Sequence, residues 1–317
     1  MMKGVVKFLK IIFISVTLLM ILVCLFFGYR DRPLDELKAR YAGSPSVFIK
    51  VDGMDVHYRD EGDRQDTLPL VLLHGTASSL HTFDAWATDL KKVKRIVRMD
   101  MPGFGLTGPF PDRHYRINDY VDFLAHFLVA KGINKCILAG NSLGGEIAFQ
   151  FTLTYPERVE RLILIDAAGY PINSKSVPIV FTFARIPVLN KFMTFVTPRF
   201  IVKGSLENVY ADPSKVTASL IDRYFELSLR AGNRQAFIDR INSGYDTGSL
   251  VQIKNIQQPT LLIWGEQDLL IPISNAYRFH HDLPNDTLVI IKNTGHVPME
   301  ESPTESMEAV MAFLKKR

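Results

Sequence analysis

The feature that most constrains the fold of this chain is an apolar run that ends at a serine between glycines. Residues 137–139 are apolar, Gly-Asn-Ser-Leu-Gly-Gly follows at 140–145, and a helical pattern begins at Glu146. A strand, a tight turn and a helix in this order place Ser142 at the apex of the turn. Glycine two residues before and after the serine avoids collisions with neighbouring backbone. The hydroxyl is therefore predicted to lie at a sheet edge and a helix N-terminus, where developing negative charge is favoured.

Short apolar segments alternate with helical patterns on both sides of this serine turn. Asp52 and Gly53, between two alternating segments, indicate a β-hairpin. Further strands are predicted at residues 68–73, 95–100, 161–166, 260–265 and 287–291, and helices at residues 82–92, 117–131 and 307–314. This spacing predicts an α/β fold with a doubly wound, mainly parallel sheet that is covered by helices on both faces.

Residues 170–250 interrupt the alternation, because they contain no clear strand and the prolines at 178, 187, 198 and 213 divide them into short pieces. We expect a helical cap inserted between two strands of the sheet. The aromatic residues of this segment include Phe181, Phe183, Phe192, Phe195, Phe200, Tyr210, Tyr224, Phe225 and Phe237. Two interpretations stay open: these rings pack the cap on itself and on the sheet, or some of them line an apolar substrate pocket or face a membrane.

The N-terminal segment carries the excess charge of the chain. The formal net charge of +4 comes from residues 1–32, which hold five basic residues and one acidic residue. No nucleic-acid partner is therefore expected. Residues 11–29 contain no charged residue, which is long enough to cross a bilayer as a helix. Because no small-x-small cleavage site follows, an uncleaved single-pass membrane anchor is favoured over a signal peptide.

The charges around this anchor leave its orientation open. Lysines at positions 3, 7 and 10 favour a cytoplasmic N-terminus, but basic residues between positions 30 and 40 reduce the asymmetry. A periplasmic or otherwise extracytoplasmic catalytic domain is favoured if the source is bacterial. The predicted division of the chain is a membrane anchor at 1–32, a first part of the α/β core at 33–169, a helical cap at 170–250 and a second part of the core at 251–317.

The two cysteines and the histidine spacing indicate no metal or cofactor. Cys24 lies in the apolar N-terminal segment and Cys136 beside the strand of the serine turn, which makes no disulfide framework. The sequence contains no His-Glu-x-x-His pair and no cysteine cluster. We therefore predict neither a bound metal nor a cofactor.

Two later residues have the positions that a serine nucleophile requires of its partners. A serine hydroxyl attacks at neutral pH when a base takes its proton and an acid orients the base. Asp268 and His296 each follow a predicted strand, where open parallel sheets build their sites. The order Ser, Asp, His accompanies this type of serine turn. Ser142, Asp268 and His296 are therefore the predicted nucleophile, acid and base, with Asp166 as the rival for the acid.

A tetrahedral intermediate also needs two backbone donors for its oxyanion. The N–H of Leu143, next to the serine, is the first predicted donor of this oxyanion hole. The second is expected in the loop after His74, where Thr76 is the preferred donor and Ala77 the alternative. His74 is expected to orient this loop rather than to act as a base.

Five motifs together resemble the α/β-hydrolase fold family. They are Gly-Asn-Ser-Leu-Gly-Gly at 140–145, His-Gly at 74–75, Asp-Met-Pro-Gly-Phe-Gly at 100–105, Gly-Glu-Gln-Asp at 265–268 and Gly-His-Val-Pro at 295–298. The resemblance covers roughly residues 46–317. It implies a triad of Ser142, Asp268 and His296, with Leu143 and Thr76 at the oxyanion hole.

Asp-Ala-Ala-Gly at 166–169 and the anchor-like N-terminus resemble the branch of small lipases and monoacylglycerol lipases. That branch implies a serine hydrolase that cleaves carboxylic esters with apolar acyl chains, with a small ester or lipid as substrate. A carbon–carbon bond hydrolase with the same triad is the alternative, against which the membrane segment and the lack of an evident basic cluster weigh. A catalytically silent binding scaffold has no reason to keep the complete triad.

Overall fold

An eight-stranded sheet forms the centre of the computed structural model, which describes residues 2–244 and 248–315. The strands are β1 (Val47–Val51), β2 (Met54–Glu61), β3 (Leu70–Leu73), β4 (Ile96–Met99), β5 (Cys136–Asn141), β6 (Val159–Ile165), β7 (Thr260–Gly265) and β8 (Asp286–Ile291). Their order in the sheet is β1-β2-β4-β3-β5-β6-β7-β8. Strand β2 is antiparallel to β1 and β4, and every other neighbouring pair is parallel.

Helices cover both faces of this sheet. The helices of the described residues are α1 (Met2–Phe27), α2 (Leu34–Tyr41), α3 (Asp84–Leu90), α4 (Ile117–Ala130), α5 (Leu143–Thr154), α6 (Ile179–Arg185), α7 (Leu189–Phe192), α8 (Arg199–Val209), α9 (Ala218–Ser228), α10 (Asn233–Asn242), α11 (Ser274–Asp282), α12 (Pro298–Glu301) and α13 (Pro303–Lys315), of which α1 does not lie on the sheet. One core cluster contains Phe127 and Phe149 of α4 and α5, and a second contains Trp86 and Phe313 of α3 and α13. The predicted doubly wound α/β fold is confirmed.

The predicted hairpin is present between β1 and β2. Its turn residues, Asp52 and Gly53, both have positive φ, at 49° and 79°. Two successive positive φ angles define the type I′ turn, whose twist matches that of the flanking strands. The Asp-Gly pair therefore sets the register of the hairpin, in which Val51 pairs with Met54.

Two predicted helices differ from the observed ones at their starts. The helix predicted at 82–92 begins as a 3₁₀ turn at Leu80–Phe83 before it continues as α3. The last helix begins at Pro303 rather than at residue 307. Proline suits a first helical position because no N–H is needed there. The sequence pattern missed this start because the residues directly after the proline are polar and show no apolar period. One of them, Ser306, is fully buried and accepts a hydrogen bond from Trp86 Nε1 at 3.0 Å.

The segment between β6 and β7 is helical where the structure describes it. Helices α6 to α10 occupy this segment, and its described residues form no strand of the sheet. Residues 245–247, which fall inside the predicted cap, lie outside the described residues. The division of the chain into anchor, core and cap remains a prediction.

The N-terminal helix α1 projects from the rest of the protein. Its residues 5–27 are long and apolar enough to cross a membrane, and none of these residues is fully buried inside the protein. The helix ends at Phe27, so Gly28 and Tyr29 leave it although they belong to the predicted apolar span. A Cβ on Gly28 would lie 2.2 Å from the carbonyl oxygen of Cys24, which explains glycine at the point where the chain turns away.

Candidate active site

Ser142 lies between β5 and α5 in a backbone conformation that few residues adopt. Its φ is 55° and its ψ −117°, a strained region that proteins retain mainly at functional sites. A Cβ on Gly140 would lie 2.0 Å from the carbonyl oxygen of Gly144, and one on Gly144 would lie 2.3 Å from that of Leu73. The turn can therefore be this tight only with glycine at both positions.

His296 and Asp268 form a buried pair beside this turn. His296 Nδ1 lies 2.7 Å from Asp268 Oδ2. The other carboxylate oxygen accepts hydrogen bonds from the N–H groups of Leu270 and Ile271, at 2.8 and 2.9 Å. The side chain of Asn141 donates to the carbonyl oxygen of His296 at 3.1 Å. With Nδ1 engaged by the carboxylate, the ring presents Nε2 as the nitrogen free to accept a proton.

Asp166, the rival acid, lies against the same pair but does not orient the histidine. Ligand atoms of Asp166, Asp268 and His296 all lie within 4.8 Å of one another, and all three residues are buried. Asp166 Oδ1 accepts the N–H of Gly265 at 2.9 Å. Burial, and then the negative charge of Asp268, raise the pKa of the Asp166 carboxyl well above 3.8. A raised pKa disfavours the anionic form that the partner of the base requires, so Asp166 is the poorer candidate for the acid.

These three residues also form the one group in the described part of the chain whose composition suits a metal ion. The 2.7 Å contact between His296 and Asp268 directs both side chains at each other rather than at a shared ion. Its raised pKa makes the Asp166 carboxyl a poorer ligand, because metal ligands must be deprotonated. The arrangement therefore suits proton transfer better than metal binding.

The predicted oxyanion donors border the serine. Thr76 and Leu143 both line the cavity into which Ser142 opens. Within the described residues, the backbone N–H groups of Thr76, Ala77 and Leu143 donate to no acceptor. A Cβ on Gly75 would lie 3.2 Å from the Cβ of Ser142, so glycine lets this loop approach the serine closely. The geometry leaves Thr76 and Ala77 both possible as the second donor.

His74 fixes the loop that carries the second predicted oxyanion donor, through contacts of both ring nitrogens. Its Nδ1 lies 2.8 Å from the carbonyl oxygen of Gly75, and its Nε2 accepts the N–H of Met101 at 2.9 Å. The second bond requires a neutral ring with the proton on Nδ1. Burial lowers the pKa of His74, which keeps the ring neutral. His74 therefore orients the loop, as expected from the sequence.

Asp100 orders a second loop at the same edge of the sheet. Its carboxylate accepts the N–H groups of Leu80 and Leu106, each at 2.7 Å, and lies 2.7 Å from His57 Nδ1. Burial alone would raise the pKa of Asp100, but the charge and hydrogen bond of His57 outweigh it and lower the pKa. Both side chains are fully buried, so this pair is structural.

Ser142 and His296 open into one cavity of about 790 Å³. The Ser142 hydroxyl makes no hydrogen bond to the His296 ring within the described residues, and this contact is commonly long before substrate binds. The cap contributes apolar lining residues, among them Val180, Phe181, Met193, Val202, Leu206 and Phe237. Some cap aromatics therefore line the cavity, whereas Phe195 and Phe200 are 68% and 61% exposed. Both open interpretations of these rings apply, to different residues.

Three arginines also line this cavity, which the sequence did not reveal. Arg240 lies 3.6 Å from the carboxylate of Glu146, and Arg234 pairs with Asp31 at 2.7 Å. Arg185 has no acidic partner among the described residues. The sequence showed no evident basic cluster, and the cavity holds three arginines of which two face acids. Arg185 lies on α6, and Arg234 and Arg240 lie six residues apart on α10, so no local run of charge could signal them.

The chain belongs to the alpha/beta hydrolase fold family, whose pattern it matches over residues 69–303. The uncharacterized hydrolase YugF of Bacillus subtilis is 29% identical over 277 residues, which cover 86% of this chain and 99% of that protein. The 2-hydroxy-6-oxo-2,4-heptadienoate hydrolase of Pseudomonas putida is 26% identical and covers 84% of this chain and 95% of its own. The protein is therefore a hydrolase by family.

Solved structures with the same fold divide between two types of hydrolase. A membrane phospholipase A described as a bacterial virulence factor has a TM-score of 0.74 and 25% identity, and the match covers 99% of this chain and 98% of that one. A meta-cleavage product hydrolase from Pseudomonas fluorescens has a TM-score of 0.73 and 25% identity, with 86% and 97% covered. The family and the fold are thus shown, and the bond that is cleaved needs a separate argument.

Proposed function

We propose that this protein is a membrane-anchored serine hydrolase that cleaves carboxylic esters with apolar acyl chains. The observation that carries the proposal is the cavity of about 790 Å³ above Ser142, whose cap side is walled by aliphatic and aromatic side chains. Its volume lies in the range of small-molecule sites that bury most of their ligand. An acyl chain lying against this wall would bring its ester carbonyl to Ser142.

The residues around Ser142 account for each step of ester hydrolysis. Ser142 Oγ attacks the carbonyl carbon while His296 Nε2 takes its proton, and Asp268 stabilises the imidazolium that forms. The oxyanion accepts the N–H groups of Leu143 and Thr76. His296 then gives the proton to the leaving alcohol, which departs and leaves an acyl-enzyme. Water that His296 deprotonates attacks this ester, and the acid and the free serine are released.

The N-terminal helix supports the membrane part of the proposal. The apolar part of α1, residues 5–27, is 23 residues long. At 1.5 Å per residue this is about 35 Å, enough for a hydrocarbon core of about 30 Å. The similarity to the membrane phospholipase A extends over 99% of this chain and so includes this helix. A lipid ester that resides in the bilayer is the substrate class that unites the anchor with the apolar cavity.

The test compares turnover of a p-nitrophenyl ester of a medium-chain acid by wild type and Ser142→Ala. We expect the variant to lose about 10⁴-fold or more in kcat/KM, because the nucleophile is removed. Wild type should bind a fluorophosphonate probe covalently and the variant should not. Ser205→Ala is the matched control, since Ser205 lines the same cavity on α8 away from the turn. An inert, unlabelled wild type, or a fully active Ser142→Ala, contradicts the proposal.

A carbon–carbon bond hydrolase remains the second candidate because of Arg185. This arginine lines the cavity without an acidic partner among the described residues, and an acidic dienoate would offer it a carboxylate. Four of the relatives carry names of this chemistry. The same assay with a 2-hydroxy-6-oxo-dienoate decides between the candidates. Faster turnover of the dienoate than of the medium-chain ester would favour the second.

A further inference from the structure

The short helices α6 to α8 expose large apolar side chains on the outside of the protein. We define the apolar cap surface as Ile179, Ile186, Val188, Leu189, Phe195 and Phe200, whose exposed fractions run from 40% to 68%. The opposite sides of the same helices line the cavity through Val180, Phe181 and Met193. A helix beside a core is normally apolar on one side and polar on the side that faces water. The outer side of these helices carries large exposed apolar side chains beside basic ones, which indicates that it has a partner other than water.

The charged residues of this part of the chain are all basic. Residues 167–206 contain five basic residues and no aspartate or glutamate. Arg199 pairs with Asp222 of α9, and Lys203 pairs with Glu207 one turn later on α8. Exposed Lys175, Arg185 and Lys191 have no acidic partner among the described residues. Basic residues beside exposed aromatic and aliphatic ones are typical of segments that lie in the interface of an anionic membrane.

The apolar cap surface begins where the N-terminal helix ends. The N–H of Tyr29 donates to the carbonyl oxygen of Phe195 at 2.8 Å, and the N–H of Thr197 donates to that of Phe27 at 3.1 Å. The rings of Phe27 and Phe200 pack edge to face with their centroids 5.5 Å apart. Two backbone hydrogen bonds and a ring contact therefore hold this surface at the last turn of α1.

A bilayer that contains α1 must reach the apolar cap surface. The last residues of the helix, Leu25 and Phe26, are 74% and 72% exposed, and their side chains need the hydrocarbon region. Phe195 hydrogen-bonds to Tyr29 and Phe200 packs on Phe27, both within four residues of that point, which would place the two rings near the boundary of acyl chains and headgroups. Aromatic side chains are enriched at this depth in membrane proteins. The exposed apolar surface is thus continuous with the anchor that we propose to span the membrane.

We propose that the apolar cap surface docks into the interface of an anionic lipid bilayer, with Phe195 and Phe200 among the acyl chains and Lys175 and Lys191 at the headgroups. The proposal depends on the anchor but not on the chemistry at Ser142. In this arrangement the helices that roof the cavity are the ones that contact lipid.

The experiment places tryptophan on the surface in the full-length protein and measures its quenching by brominated acyl chains. The natural tryptophans, Trp86 and Trp264, are fully buried and supply a constant background. The variant Phe195→Trp is reconstituted in vesicles of brominated phosphatidylglycerol and of brominated phosphatidylcholine. Ala39→Trp, on exposed α2 shortly after the anchor, controls for mere closeness to the membrane. Val129→Trp, at a position 69% exposed on α4, controls for random collisions.

We expect quenching of the tryptophan at 195 by about twofold in phosphatidylglycerol and by less in phosphatidylcholine, because the cations add attraction to anionic headgroups. The fluorescence of the tryptophans at positions 39 and 129 should change little in either vesicle.

Quenching of the tryptophan at position 195 that is no stronger than quenching at position 39 overturns the proposal. Equal quenching in the two lipids overturns the role of the lysines. If the fluorescence of the tryptophan at position 195 changes with the protein-to-lipid ratio but not with bromination of the lipid, the proposal is wrong and the surface contacts a second copy of the chain. Fluorophosphonate labelling of the same samples reports on Ser142 separately, so failure of one proposal does not imply failure of the other.

Discussion

At the scale of single residues, the two aspartates beside His296 differ in what surrounds them. Asp268 accepts two backbone N–H groups and faces the ring, whereas Asp166 accepts the single N–H of Gly265 through Oδ1. Asp166 Oδ2 is buried and receives no hydrogen bond from a donor within the described residues. Burial and the negative charge of Asp268 raise the pKa of the Asp166 carboxyl, which favours its protonated form beside Asp268.

We predict that Asp166→Asn stabilises the protein at neutral pH and keeps its activity. A carboxyl whose folded pKa is raised contributes its full stability below its ordinary value of 3.8, and loses it as the pH rises toward the folded pKa. Asparagine cannot titrate, and its amide can accept from Gly265 and donate to Asp268. We expect Tm at pH 8 to rise by about 1–2 °C, equivalent to about 1 kcal/mol at this chain length.

Thermal unfolding of wild type and Asp166→Asn between pH 5 and pH 9 measures this effect. Asp268→Asn is the matched control, because it should lose about 10⁴-fold in kcat/KM by failing to orient the base. If Asp166→Asn lost activity to the same extent, Asp166 rather than Asp268 would be the acid of the triad.

At the scale of structural elements, glycine determines how closely β3 and α5 approach. Gly144 begins its helix against the end of β3, so that a Cβ there would meet the carbonyl oxygens of Leu73 and His74 at 2.3 and 2.7 Å. These are backbone atoms of the sheet and cannot rotate away. The tight junction brings the N-terminus of α5 and the oxyanion loop to the same side of Ser142.

We predict that Gly144→Ala lowers the free energy of unfolding by about 1–3 kcal/mol, the usual cost of overpacking. Gly204→Ala on α8 is the control, since a Cβ there would meet nothing within 4 Å. Alanine in a helix interior normally gains about 0.5–1 kcal/mol over glycine. Urea unfolding of both variants measures the difference. Equal changes in the free energy of unfolding would mean that the junction accommodates a Cβ without loss of stability.

At the scale of the whole molecule, the segment between the anchor and the sheet is fastened to the cap. Glu226 of α9 accepts a hydrogen bond from Tyr41 at 2.6 Å and pairs with Arg40 and with Arg32, the latter at 3.3 Å. The Glu226 side chain is only 7% exposed. The ring of Tyr29 packs against Phe225 with centroids 5.0 Å apart. The segment therefore neutralises a buried charge of the cap and covers one of its rings.

We predict that removal of residues 1–41 destabilises the protein, whereas removal of residues 1–26 does not. The longer deletion leaves Glu226 buried without its partners, and an uncompensated buried charge costs about 3–5 kcal/mol. The shorter deletion keeps every contact of Tyr29, Arg32, Arg40 and Tyr41. Thermal unfolding of both proteins in the same detergent tests this, and equal Tm values would show that the segment is only a tether.

Much of this protein follows from its sequence because the determinants are local. The serine turn needs glycine at 140 and 144, the hairpin needs two residues that tolerate positive φ, and the apolar periods of strands and helices depend on neighbours a few positions away. The order of strands around the turn then follows from connection rules for parallel sheets. The catalytic roles assigned to Ser142, Asp268 and His296 remain predictions until activity is measured.

Contacts between distant segments were decided only by the tertiary structure. Asp166 and Asp268 both follow a strand at the same sheet edge, and the path of the loop after β7 determines that Asp268 faces His296. Arg185 and Arg240 reach the cavity from separate cap helices, and Glu226 meets residues of the N-terminal segment. Such contacts depend on how whole elements pack, which no period or spacing within the sequence encodes.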